Sequence, residues 1–189
     1  MPRASPPGKA GLRAAVKGGS LRPSHDPKAQ PMSRLLRFTF VEAGVSGRIA
    51  LHETLAPKTV ETIWNALAQP ITELAFHAMF AGPEIMIGLP PSAQNFDPRS
   101  LPPENQTVIP TPGDVLWFYQ APHTMKGLPD EFWEIGMFYG DGGRVFGPLG
   151  WTPVTMFGRM LPEDLPAFAK ECAGIRLTGA KKLEVRREA

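Results

Sequence analysis

Apolar and polar residues alternate over much of the chain, which is the pattern of β-strands that are buried on one face. In the first such run, over 35–41, Leu36, Phe38 and Phe40 share one face. A turn that contains two glycines leads into a second strand over 48–53, which predicts a hairpin. Further strands are predicted over 74–80, 84–89, 114–119, 132–139, 144–149 and 152–160.

Two segments have helical spacing instead. The first begins at Pro57, a residue that favours the first turn of a helix, and ends at Pro70. Its apolar residues follow the spacing i, i+3, i+4 and i+7 at Val60, Ile63, Trp64 and Leu67. The second helix is predicted over 163–173, and the residues after it, 175–187, either form a closing strand or remain irregular. This order predicts a mainly β fold, a closed antiparallel β-barrel of about eight strands with two capping helices.

Length and composition define the class of protein. The chain has 189 residues, of which 42% are hydrophobic and 20% are charged, values that are ordinary for a globular protein. No apolar run reaches the roughly 20 residues of a membrane-spanning helix, so we expect no membrane partner. The single cysteine, Cys172, cannot form an intrachain disulfide, and this favours a reducing, cytoplasmic location.

The net charge of +2 is distributed unevenly. Residues 1–31 contain six basic residues and one acidic residue, a charge of +5, which leaves −3 for residues 32–189. The first segment is rich in Pro and Gly and lacks periodicity, so we predict a disordered basic tail, with Met32 as an alternative start. Because this segment also lacks aromatic residues on which bases could stack, we expect no nucleic-acid partner. Residues 32–189 are predicted to form the barrel domain.

Several segments resemble known proteins. Residues 53–64, ETLAPKTVETIW, resemble the segment that opens the first helix of cyclophilins, the peptidyl-prolyl isomerases. A second resemblance is to an uncharacterised bacterial family of small cyclophilin-like proteins, and it covers about 32–160. It is carried by PENQTVIPTPGDVLW at 103–117, EIGMFYGDGGR at 134–144 and GWTPV at 150–154. Both resemblances imply a cyclophilin-like eight-stranded barrel.

The resemblances also imply classes of function. The bacterial family is more distantly similar to cucumopine synthase, an opine-forming enzyme that condenses an amino acid with a keto acid through an imine. This similarity implies a barrel that binds a small organic metabolite and transforms it by acid–base chemistry, with no cofactor. The sequence leaves a homo-oligomer open. It also leaves open a non-catalytic interaction module that uses the long Pro-rich connections 90–112 and 120–130.

A residual peptidyl-prolyl isomerase or proline-peptide binder is a further alternative. Phe76 and His77 match the first two residues of the Phe-His-Arg motif of cyclophilins. Ala78 stands where the catalytic arginine belongs, so the group that would stabilise the twisted prolyl amide is missing. Neither His52 nor His123 has a partner at metal-ligand spacing, and we expect no metal site.

His77 and Glu84 are the candidate catalytic residues. If residues 81–82 form a two-residue turn, His77 lies opposite Met86 and Met79 lies opposite Glu84. The four side chains then share one face, and His77 and Glu84 are diagonal neighbours about 7–8 Å apart. An imidazole and a carboxylate so placed suit general acid–base catalysis, and a structural pair is the alternative. The two methionines are predicted to contact the ligand.

The remaining candidate ligand-binding residues are aromatic or charged. Trp117 and Tyr119 share a strand face and, with Trp151, are expected to line an apolar pocket. Glu134 lies in an apolar run next to a glycine position, so it is either on an outer or edge position or buried for a purpose. Arg144 follows a glycine turn and is either a binder of a substrate carboxylate or a solvated hairpin residue.

Overall fold

The described residues, 34–125 and 129–188 of a computed structural model, form eleven strands and two α-helices. The strands are β1 Leu35–Phe40, β2 Val45–Leu51, β3 Ile71–His77, β4 Glu84–Gly88, β5 Gln106–Thr107, β6 Asp114–Gln120, β7 Phe132–Phe138, β8 Phe146–Gly147, β9 Gly150–Trp151, β10 Val154–Met160 and β11 Lys181–Arg187. The α-helices are α1 Pro57–Ala66 and α2 Leu165–Thr178, and short 3₁₀ helices cover Pro91–Ala93 and Pro98–Ser100. The predicted tail, 1–31, lies outside the described residues.

Eight of these strands close into an antiparallel barrel. Their order around it is β1, β2, β10, β6, β7, β4, β3 and β11, and β11 pairs back to β1. Phe38 and Phe40 fill the inside of β1, and Phe168 of α2 packs on Phe40 with 4.7 Å between ring centroids. The amphipathic helix α1 buries Val60 and Ile63. The predicted closed barrel with two helices is confirmed.

Some boundaries differ from those that the sequence predicted. β3 begins three residues before the predicted 74–80 segment and ends three residues before its end. The predicted strand over 144–149 is replaced by the small hairpin of β8 and β9. Helix α2 continues through Gly174, because a glycine inside a helix costs only about 1 kcal/mol relative to alanine. It ends at Gly179, whose φ of 86° favours glycine. The last residues, which the sequence left open, form β11.

The outer face of β4, β7 and β6 carries buried polar side chains, among them Glu84 and Gln120. Successive residues of a strand point to opposite faces, so Ile85 and Ile87 of β4 belong to the barrel core whereas Glu84 and Met86 point outward. A small apolar cluster covers part of this outer face, and it consists of Ala81, Leu116, Phe138, Val154 and Met156. No helix in the described part of the chain is long and apolar enough to cross a membrane.

Candidate functional site

The predicted pairing of His77 with Glu84 is wrong, because the register of the β3–β4 hairpin differs by one residue. Phe76 pairs with Met86 and His77 pairs with Ile85. The two strands are joined by an irregular connection rather than a two-residue turn, in which the Ala78 N–H donates to the Glu84 carbonyl at 2.9 Å. A shift of one residue moves every side chain to the other face. His77 therefore points inward, and Glu84 and Met86 point outward.

His77 has hydrogen-bond partners for both ring nitrogens. Nδ1 lies 2.8 Å from the carbonyl oxygen of Ala78 and donates to it, and Nε2 lies at hydrogen-bond distance, 2.7 Å, from the Tyr139 hydroxyl. The two rings meet edge to face at 5.7 Å, and burial raises the pKa of Tyr139. These contacts hold the imidazole in one orientation on the inner face, away from Glu84.

Glu84 is instead brought together with Glu134 on the outer face. In the β4–β7 ladder, Glu84 pairs with Phe138, Met86 with Gly136, and Gly88, the last residue of β4, with Glu134. Along β7, Gly136 therefore lies between Glu134 and the position opposite Glu84. A Cβ atom on Gly136 would lie 2.7 Å from Oε1 of Glu84. The Glu84 side chain therefore crosses the bare backbone of Gly136 toward Glu134, which a residue with a side chain would prevent.

Both glutamates hold protons more tightly than exposed carboxyls do. Only 5% of Glu84 is exposed, and burial raises its pKa well above the ordinary value, with a further rise from the negative charge of Glu134. Glu134 keeps part of its surface accessible, yet burial of its carboxyl raises its pKa to about 7. No hydrogen bond joins either carboxyl group to another described side chain or backbone group. At neutral pH the pair therefore retains at least one proton.

Gln120 is a member of the same face that the sequence reasoning missed. In the β6–β7 ladder, Phe118 pairs with Glu134 and Gln120 with Phe132, which makes Gln120 a diagonal neighbour of Glu134. Gln120 is 3% exposed, and neither its amide nitrogen nor its amide oxygen has a hydrogen-bond partner among the residues that the structure describes. Its only signal in the sequence is a polar residue at the end of the otherwise apolar part of β6. Such an amide is costly to bury without a partner.

Apolar side chains surround these polar groups. Leu116 of β6 lies against Gly136, where an added Cβ atom would be 3.0 Å from its Cγ. Met86 and Phe118 are half-buried on the same face. Phe76 is 51% exposed beside Met86, and Met79 is 84% exposed in the connection that follows β3. The pKa shifts of the glutamates follow from this apolar setting, since it disfavours the charged form. The predicted ligand contacts of Met79 and Met86 stay predictions.

Of the three residues that were expected to line one apolar pocket, the structure brings Trp117 and Tyr119 together and places Trp151 in a separate hairpin. Trp117 and Tyr119 do share a face, but it is the inner one, where both pack edge to face on Trp133, at 6.0 Å and 5.5 Å. Phe96 joins this inner cluster at 5.6 Å from Trp117. Trp151 lies apart, 54% exposed on β9, because the separate β8–β9 hairpin directs it away from the barrel core.

Arg144 is exposed in the connection after β7. Its backbone N–H donates to the carbonyl of Ala81 at 3.0 Å, which ties this connection to the β3–β4 hairpin. Its predicted contact with a substrate carboxylate stays a prediction. Within 34–125 and 129–188, no group of three or more His, Cys, Asp or Glu side chains is arranged to hold a metal ion.

The family model described as "Protein of unknown function (DUF3830)" matches residues 38–186. The chain belongs to this family. No curated protein matches this DUF3830 chain.

Solved structures share the fold of the DUF3830 chain. The "Structure of McbB in complex with tryptophan" is 18% identical with a TM-score of 0.59, and the match covers 82% of this chain and 45% of McbB. The DUF3830 chain thus spans less than half of the McbB chain. The solution structure of the hypothetical protein AF2241 from Archaeoglobus fulgidus is 21% identical with a TM-score of 0.50, covering 85% of this chain and 99% of that one. At these identities the matches show a common fold.

Proposed function

We propose that this DUF3830 protein binds a small organic metabolite on the outer face of the barrel and transfers protons through Glu84 and Glu134. The observation that carries the proposal is the pair of carboxyls, one on either side of Gly136, with raised pKa values and no partners among the described residues. Strongly shifted carboxyls in an apolar setting are typical of sites that need a proton donor near neutral pH. The amide of Gln120, which is a diagonal neighbour of Glu134 and has no partner among the described residues, supports recognition of a polar ligand group.

The pair suits carbonyl and imine chemistry. In an imine-forming condensation, an amine nitrogen attacks a carbonyl carbon, the nitrogen loses its protons, and the carbonyl oxygen leaves as water. The ionised carboxylate accepts a proton from the nitrogen, and the protonated carboxyl delivers one to the oxygen. This exchange swaps the protonation states of the two carboxyls, and a second exchange in the opposite sense removes the other nitrogen proton and completes the water. Because two neighbouring carboxyls resist double ionisation, one acid and one base coexist at the same pH. No external oxidant or reductant is needed.

The charge of the pair favours a ligand that contains an amine. With one carboxyl protonated and the other ionised, the two glutamates carry one negative charge in an apolar setting, and a buried charge without a partner is costly. An ammonium group offsets that charge when it binds. McbB, which shares the fold, has a solved structure with tryptophan, a ligand that carries an amine. This likeness supports the ligand class.

Binding calorimetry with three matched probes tests the proposal. L-tryptophan and tryptamine carry an amine, whereas indole-3-propionate keeps the ring and lacks the amine. We expect saturable binding of at least one of the two amines near pH 7 and a much weaker interaction with indole-3-propionate. Glu84→Gln and Glu134→Gln should each weaken amine binding about tenfold or more, since each removes one of the two carboxyls that can accept a hydrogen bond from the ammonium group.

The matched control is Glu42→Gln, which changes an exposed glutamate in the β1–β2 turn. It should leave amine binding unchanged. The proposal is overturned by three outcomes: no amine binds, the amine-free probe binds equally well, or both site variants bind as the control does.

A further inference from the structure

A cleft of ≈ 350 Å³ opens on the barrel surface beside β10, where the strand that pairs with β10 changes from β5 to β2. Strand β2 pairs with the end of β10 from Gly158 onward, and β5 pairs with its beginning at Val154 and Thr155. Between these pairings, β10 is irregular, and its register against β6 shifts between Met156 and Gly158. The cleft is thus a notch in the edge of the sheet.

Two side chains from the ends of the neighbouring strands flank this notch. His52 follows β2, and its backbone N–H donates to the carbonyl of Phe157 at 2.9 Å. Asn105 precedes β5, and its side-chain amide donates to the carbonyl of Met156 at 2.7 Å. These bonds satisfy the irregular backbone of β10 and leave the amide oxygen of Asn105 and the imidazole of His52 to line the cleft.

The charged wall of the cleft is Arg159, held by Asp114 on the paired position of β6. Its Nε donates to Oδ1 of Asp114 at 2.9 Å, and its Nη2 is 2.8 Å from the same oxygen. Nη2 also donates to the Thr111 hydroxyl. Nη1 has no hydrogen-bond partner among the described residues, and the side chain is 48% exposed. The fork is therefore fixed in orientation with one free nitrogen.

His52 is the titratable group of the cleft. Burial lowers its pKa, the positive charge of Arg159 lowers it further, and the negative charge of Asp114 opposes both. Its imidazole makes no hydrogen bond to any described residue. The ring is therefore neutral at pH 7, and a bound anion would favour its protonation.

The other walls are apolar. Leu55 and Ile109 are each 57% exposed at the rim, and Met156 lies at the base among buried residues. The volume of the cleft is within the range of small-molecule sites. Met156 packs in the outer apolar cluster with Leu116, and this cluster separates the cleft from Glu84 and Glu134.

We propose that this cleft is a second binding site, for a small carboxylate with an apolar body. The carboxylate accepts hydrogen bonds from Nη1 of Arg159 and from the imidazole of His52, and the body contacts Leu55, Ile109 and Met156. On binding, the imidazole takes up one proton from solvent, so that two cationic groups face the anion. The site stands independently of the function proposed for Glu84 and Glu134.

The test uses benzoate as the probe and benzyl alcohol as its neutral counterpart, with the full-length chain. NMR of the His52 ring proton on Cε1, assigned with His52→Asn, reports binding and the apparent pKa of His52. We expect saturable shifts with benzoate and a higher apparent pKa of His52 in its presence. Benzyl alcohol should cause neither change.

Three arginine variants test the role of Arg159. Arg159→Gln should weaken benzoate binding about tenfold or more, because it removes the charge and the free N–H donors. Arg186→Gln is the matched control, since Arg186 is also 48% exposed and has a glutamate partner, Glu184, at 3.4 Å. Arg159→Lys keeps the charge next to Asp114 and replaces the glutamine variant if the latter does not fold.

Three results overturn the inference. The first is the absence of saturable benzoate binding to the wild-type chain. The second is equal binding of benzyl alcohol, which would show that the carboxylate is not recognised. The third is benzoate binding by a folded Arg159 variant, glutamine or lysine, that equals binding by the Arg186 variant. None of these results bears on amine binding at Glu84 and Glu134, so the two proposals fail separately.

Discussion

The replacement Glu134→Gln is expected to change how the stability of the fold depends on pH. Burial raises the pKa of Glu134 from 4.5 to about 7. Between these pH values the folded chain holds a proton that the unfolded chain has released, so the free energy of unfolding falls as pH rises. The contribution is fully present below pH 4.5 and is lost once pH passes about 7. At 1.36 kcal/mol for each pH unit, the loss is about 3 kcal/mol.

The glutamine variant lacks this loss because its amide stays neutral at every pH. Relative to wild type, its free energy of unfolding should be about 3 kcal/mol higher at pH 8 than at pH 4.5. For a chain of this size this corresponds to a relative rise in Tm of about 6–12 °C. Loss of the Glu134 charge should also lower the pKa of Glu84, since that charge contributes to its upward shift.

Denaturant titrations of both proteins at several pH values between 4.5 and 8 give the measurement. Glu42→Gln, on an exposed turn, provides the control and should track wild type throughout. If the difference between Glu134→Gln and wild type is the same at pH 4.5 and pH 8, the carboxyl is not buried in an apolar setting and the reasoning fails.

Three other predictions each concern a single residue. Gln120→Met should raise the free energy of unfolding by about 1–3 kcal/mol, because it replaces a buried amide without a partner by an apolar chain of similar length; a lower Tm in differential scanning calorimetry would contradict this. Gly136→Ala should lower it by about 1–3 kcal/mol, since the new Cβ would meet Oε1 of Glu84 at 2.7 Å, whereas Gly88→Ala on β4 has open space and should cost less. A peptide isomerisation assay should give rates at background, because Ala78 replaces the arginine of the cyclophilin motif; turnover well above background would restore the isomerase hypothesis.

The sequence predicted the barrel because its signal is local and repeated. Alternation along each strand and helical spacing after Pro57 are determined by which face meets the core, and each element carries that pattern independently. The same alternation placed Glu134 and Gly136 on one face of β7, as the structure does. Errors of a few residues at the ends of the predicted strands therefore did not change the predicted fold.

The sequence predicted less well which side chains of neighbouring strands lie next to each other. The expected partner of Glu84 was His77, and a single residue of register placed them on opposite faces. The register depended on the geometry of the irregular connection between β3 and β4, for which the sequence offers only a weak signal. Trp151 was misplaced for a related reason, since a two-residue strand in a separate hairpin has no long alternation to fix its face.

The sequence by itself determined that this chain forms an eight-stranded barrel with an inner apolar face, because burial of alternate residues is the largest favourable term in folding and is written along each strand. Only the tertiary structure decided which polar groups meet. Glu84 and Glu134 lie 50 positions apart in the chain, and their raised pKa values depend on strand register, on the absence of a side chain at Gly136 and on burial, three properties of assembled strands rather than of any one segment.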